Sequence, residues 1–183
     1  MVQDDRNQLN VNHQGFTLIE LVVLIVILAI LAVVALPKFV NLSTDARQET
    51  MHTVGAAMRS ALELVHSQAV VEGQDIEQGQ IYIGNVLLPL YNGYPAVDGS
   101  DSFDELNEQL KAWMTIDSVS KTAIIANPEA APFFTDKSSS QNQIYIFFSD
   151  APTEGNRTEY GCQVRYQNPE GGEVSVRVLT DEC

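Results

Sequence analysis

Hydrophobic positions are placed very unevenly along this chain. From Phe16 to Leu36 it reads FTLIELVVLIVILAILAVVAL, with Glu20 the only ionisable side chain and Lys38 the next charge. Twenty-one residues of helix rise about 31 Å, which matches a hydrocarbon core of ~30 Å. No side of this segment is polar, so it predicts a helix surrounded by lipid or buried in a bundle. Pro37 lacks a backbone donor and crowds the preceding turn, which predicts a kink or break, with Ser43, Thr44 or Asp45 available to cap a restart. Beyond it, Met51, Val54, Met58, Ala61, Leu62 and Val65 recur at three- and four-residue intervals. That is the period of an amphipathic helix ending near Val70 to Gly73.

The remaining residues alternate short apolar pieces with turn signals. Gln80–Ile83, Val86–Leu90 and Lys121–Ala126 read as strands, and Asn92-Gly93-Tyr94-Pro95 as a turn. Ser102 caps a predicted helix with Leu106, Leu110, Trp113 and Met114 on one face. Lys137–Asn142 reads as a polar loop. Strands follow at Gln143–Phe148, Tyr160–Gln167 and Glu173–Leu179, the last two joined as a hairpin through Asn168–Gly172. Val164, Tyr166, Val174, Val176 and Val178 show the period-two alternation of an antiparallel sheet with one wet face. The expected fold is α+β: a long N-terminal helix whose second half packs on a C-terminal antiparallel sheet. Four segments are expected: a leader at 1–15, an apolar helix at 16–36, an amphipathic helix at 37–72 and a globular head at 73–183.

Composition narrows the possibilities. The 183 residues carry 10 Lys and Arg against 24 Asp and Glu, a formal net charge of −14. This disfavours nucleic-acid phosphates as a partner, since gripping them needs clustered bases. At 45% hydrophobic and 19% charged residues the chain is too apolar for a disordered acidic tail. Nucleophile elbow, zinc-protease histidine pair, phosphate loop and Cys-x-x-Cys are all missing from the sequence, so nothing recommends an enzyme, a cofactor or a metal site. His52 and His66 are fourteen residues apart on one helix, four turns, too far to share a metal; His13 belongs to the leader. The acidic stretch Asp98–Glu105 lacks calcium-loop spacing and reads as a turn with a helix cap. Asn41-Leu42-Ser43 and Asn156-Arg157-Thr158 have the N-glycosylation form, which is common by chance.

Residues 1–15 are polar and end in Gly15 directly before the first apolar residue. A secretory signal is instead cut after its apolar region, behind small residues, and Leu36-Pro37-Lys38-Phe39 offers no such site. Removal of residues 1–15 would leave the helix on the product. Gly15-Phe16-Thr17-Leu18-Ile19-Glu20, the apolar run and Pro37 together resemble the N-terminal signature of type IV pilins and pseudopilins. The resemblance is close from Gly15 to Ala69. It implies a membrane peptidase that cuts between Gly15 and Phe16 and methylates the new amine of Phe16. Pro37–Arg47 and Asn92–Pro95 further resemble pilins of the mannose-sensitive haemagglutinin type. The chain departs from the family pattern in having Gln14 where a base commonly precedes the glycine, with Asp4 and Asp5 against Arg6 in the leader. It also has Ala29 where many pilins place glycine. Positive residues on the cytoplasmic flank set orientation, so the leader specifies it weakly.

A carboxylate inside an apolar helix is costly unless paired. Glu20 either reaches headgroups from near the helix end, or finds a cation. Cleavage would make one, the Phe16 amine, about one turn away in the same chain or opposite Glu20 on a neighbouring chain. The resemblance implies the second pairing, which would give register to an assembling filament. It also implies an exported head, in which Cys162 and Cys183 would form the C-terminal disulfide; the other reading is two unrelated thiols. The resulting expectation is a structural subunit of a type IV pilus, homopolymeric, handled by prepilin peptidase and assembly machinery. It would sit as a single span in the inner membrane before assembly and then outside the cell, serving attachment or motility. The alternatives are a minor pilin, a type II secretion pseudopilin, or a membrane-anchored periplasmic binding domain that never polymerises.

Overall fold

A computed structural model describes residues 16–97 and 99–183, and the side chains of 34 and 36–41 lie outside the description. The chain divides into two units, residues 1–43 and residues 44–183. Helix α1 (Leu18–Val71) contributes to both. Pro37 lies within α1, so Ser43, Thr44 and Asp45 are helix residues rather than the cap of a second helix.

In the first unit every described residue from Phe16 to Val33 is exposed. Among the described residues no helix is long and apolar enough to cross a membrane; the expected span Phe16–Leu36 ends on residues partly outside them.

The second unit is α+β. Strands β1 (Gly79–Ile83), β2 (Val86–Tyr91) and β3 (Tyr94–Pro95) form a small antiparallel sheet. Asn92 and Gly93, at φ 52° and 78°, make the two-residue turn that joins Tyr91 to Tyr94. Both left-handed positions suit an Asn-Gly pair. Helix α2 (Phe103–Trp113) opens with a capping box in which Ser102 accepts from the Glu105 amide while Glu105 accepts from that of Ser102. A five-stranded sheet follows in the order β4 (Ser118–Ser120), β5 (Phe133–Ser138), β6 (Gln143–Phe148), β7 (Gln163–Gln167) and β8 (Ser175–Leu179). It is antiparallel except where β4 runs parallel to β5.

Two apolar clusters flank that sheet. The larger joins Met51, Val54, Met58, Leu62, Val65 and Ala69 of α1 to Ile81 and Leu88, to Leu106 and Leu110 of α2, and to Ile144, Ile146, Val164 and Tyr166. The smaller gathers Ile124, Phe134, Tyr145, Phe147 and Ala151. Strand β6 is therefore buried on both faces and reads as an unbroken apolar run. At Gly55 a Cβ would collide with Val178 of β8, so glycine lets helix and strand approach. The Tyr166 phenol donates to the Pro95 carbonyl at 2.7 Å, and burial pushes it well above its ordinary pKa.

Three expectations need correction. Lys121–Ala126 is a helix, α3, not a strand; Ser120 caps it by accepting from the Ala123 amide. Lys137 and Ser138 close β5, and Ser139–Gln141 form a single 3-10 turn rather than an open loop. Strands β7 and β8 begin at Gln163 and Ser175, later than expected.

Candidate functional site

The N-terminus of α1 is built by four residues, Thr17-Leu18-Ile19-Glu20. An α-helix starts with backbone N–H groups that have no partner within it. Thr17 meets one of these needs: its Oγ1 accepts from the Glu20 amide at 3.3 Å. Glu20 reciprocates, since its Oε2 accepts from the Thr17 amide at 2.9 Å and from the Thr17 hydroxyl at 2.8 Å. This is a capping box, with a carboxylate in the first turn where the helix dipole favours negative charge. Glu20 is thus satisfied inside its own chain by Thr17. The sequence suggested headgroups or the Phe16 amine as partners of Glu20 and not Thr17, although Thr-x-x-Glu before an apolar run is the written form of this box.

Around that carboxylate the surface is apolar. Phe16, Ile19, Val23, Leu24 and Ile27 line a shallow groove with Glu20, at the three- and four-residue steps that place side chains on one face. Phe16 is 76% exposed and Ile19 70%. Gly15, the other half of the expected cleavage site, lies outside the described residues, as does the side chain of Pro37.

The other expected residues sit in the second unit. Cys162 and Cys183 are joined by a disulfide, with Cys162 fully buried in the larger cluster. Two hydrogen bonds between Gly161 and Glu182 hold the ends of that loop together. The Gly161 amide donates to the Glu182 carboxylate at 2.8 Å, and the Glu182 amide to the Gly161 carbonyl at 3.2 Å. A cross-link over 21 residues contributes roughly 3 kcal/mol on the chain-entropy account. His66 stacks on Tyr94 with ring centroids 4.3 Å apart, and His52 is exposed. Asp98 lies outside the described residues. The other carboxylates of its stretch are engaged locally: Asp101 accepts from Gln109 at 2.9 Å, Asp104 from Ser120, and Glu105 from the Ser102 amide. Among the described residues no group of three or more His, Cys, Asp or Glu could hold a metal ion.

One polar cluster had no sequence forecast. Asp136 of β5 is buried between Lys121 at 2.9 Å and Arg157. It anchors α3 and the segment before β7 to the sheet. A strand pointing a carboxylate into the protein breaks the apolar alternation that reveals strands, so the site was illegible beforehand.

Comparison with known proteins bears on the N-terminal segment. The family model described as the prokaryotic N-terminal methylation motif matches residues 10–36. No curated protein and no solved structure matches the chain. Over residues 10–36 the chain is therefore similar to type IV pilins and prepilin-like proteins, for which this motif is typical.

Proposed function

We propose that the chain is a structural subunit of a type IV pilus. It is cleaved between Gly15 and Phe16, methylated on the Phe16 amine, and polymerised through its N-terminal helix. Before assembly, Phe16–Leu36 spans the inner membrane, and Pro37 allows the helix to bend on packing. The observation that carries this reading is the combination at the start of α1: an apolar helix uncovered on every described side, with one carboxylate whose partner is its own capping threonine. Burying such a helix among copies of itself removes apolar surface from water or lipid contact and brings Glu20 within reach of a new cation. The free amine made by cleavage, with an ordinary pKa near 8, is that cation on the adjoining copy. Both Thr17 bonds fall on Glu20 Oε2, so Thr17 holds that oxygen while Oε1 is the one offered to the neighbour. The motif match over residues 10–36 supports processing by a prepilin peptidase. The finer likeness to the mannose-sensitive haemagglutinin type rests on Pro37–Arg47 and Asn92–Pro95 alone.

Mass spectrometry of filaments sheared from the cell surface tests the reading. The expected result is this chain as the abundant component, beginning at N-methylated Phe16. Trace amounts in filaments would make it a minor pilin or pseudopilin, and retention in the membrane with no polymer would make it an anchored binding domain.

A further inference from the structure

The loop before β7, tied to the sheet through Arg157 and Asp136, takes no part in the proposed assembly. In this loop the sequence Glu154-Gly155-Asn156-Arg157-Thr158 has the Asn-x-Thr form, and its geometry is specific. Gly155 has φ 98°, a left-handed turn into open space that presents the following asparagine outward. Asn156, Thr158 and Glu159 are exposed. The Asn156 Oδ1 accepts from the Thr158 hydroxyl at 2.7 Å and from the Thr158 amide at 3.2 Å. The Asn156 Nδ2 donates to the Glu159 carboxylate at 2.8 Å. Donors therefore converge on the carboxamide oxygen, where charge collects when the nitrogen loses a proton, and an anionic acceptor sits on the nitrogen side. Beside Asn156 a recess of about 240 Å³ is walled in part by Phe147 and Tyr160. Phe147 is buried, so of these two rings it is the half-buried Tyr160 that would meet the apolar face of a pyranose. The other Asn-x-Ser/Thr triplet, Asn41-Leu42-Ser43, lies within helix α1 and has no turn to present its asparagine.

We infer that Asn156 is an N-glycan acceptor. The inference goes beyond the assembly reading and rests on it only for export of this loop to the side of the membrane where a glycosyl donor is used. The co-reactant is a lipid-linked glycosyl diphosphate, acted on by a membrane transferase. Asn156 Nδ2 attacks the anomeric carbon and a C–N bond forms. The bond from that carbon to the phosphate oxygen breaks, and the lipid diphosphate leaves with the electron pair. One Nδ2 proton passes to a base of the transferase. No oxidant or reductant is needed.

The test is mass spectrometry of the tryptic peptide Ser138–Arg157 from protein isolated from its own cells, with the N-terminal peptide read from the same digest. The expected result is a mass raised by one or more saccharide residues on Asn156. Asn156→Gln and Thr158→Ala yield the peptide without a saccharide, and Thr158→Ser keeps the glycan because the hydroxyl is retained. Unmodified Asn156 on chains that begin at methylated Phe16 overturns the inference while the assembly reading stands. Chains that still carry Met1 count against the assembly reading instead.

Discussion

A carboxylate at the third position of a helix can be satisfied by its own cap, and Glu20 is satisfied by Thr17 in this way. What the cap cannot do is specify a neighbour, because both partners travel in the same chain. Register between copies needs a charge supplied from outside, which is the role given to the Phe16 amine. A second residue pair shows how modest an exposed ion pair is by comparison. Arg47 meets Asp150 through two bonds of 2.9 Å and lies over the Phe148 ring at 4.1 Å. The hydrogen bonds from the Arg47 guanidinium hold the Asp150 carboxyl below its ordinary range, against the opposing effect of partial burial. A depressed folded-state pKa stabilises the fold above the unfolded value near 4, and that stability is lost as pH falls through the folded value. With 63% of the Asp150 side chain exposed, solvent screening limits the pair to at most about 1 kcal/mol. Asp150→Asn is therefore expected to lower stability slightly at neutral pH. In denaturant titrations the gap to the parent should close as pH falls through the depressed folded value, and a gap independent of pH would show that the charge is not involved.

At the scale of elements, the second half of α1 is positioned by shape as much as by apolar area. Gly55 faces Val178 and Val164 with no room for a side chain, and valine on a strand has little rotamer freedom with which to yield. Gly55→Val should cost about 1–3 kcal/mol by overpacking, read as a lowered thermal midpoint of residues 44–183 within the full chain. An unchanged midpoint would mean that α1 does not sit against β8 as described. The elements that could be read beforehand are those whose signal is local. The period of Met51 to Val65, the Asn92-Gly93 turn and the Ser102–Glu105 box are each complete within a few residues. The elements that were misread depend on distant partners. Strand β5 carries Thr135, Asp136 and Lys137 in its centre because Lys121 and Arg157 neutralise Asp136 from elsewhere in the chain. Lys121–Ala126 resembles a strand in its apolar content, yet the Ser120 cap and the packing of Ile124 beneath the sheet make it helical. At the candidate site, the apolar run and Glu20 were legible while the reciprocal bond to Thr17 was overlooked.

At the scale of the whole molecule, charge is distributed in a way that affects how copies meet. The full sequence carries a net −14, and removal of residues 1–15, which hold Asp4, Asp5 and Arg6, leaves −13; several cations are held in contacts within the chain: Arg47 with Asp150, Lys121 and Arg157 with Asp136, and Arg59 with the Val176 carbonyl. The outer surface is left predominantly acidic, so filaments should repel one another at low ionic strength. Millimolar magnesium is expected to promote lateral bundling visible by electron microscopy, more than sodium at equal ionic strength; bundling indifferent to magnesium would contradict that picture. The most direct measurement for the whole account is the filament yield of Glu20→Ala, with membrane fractionation and the N-terminal residue determined on the same cells. The account predicts a variant that enters the membrane and is cleaved to Phe16 but yields few or no filaments. Filaments in normal number from that variant would contradict it.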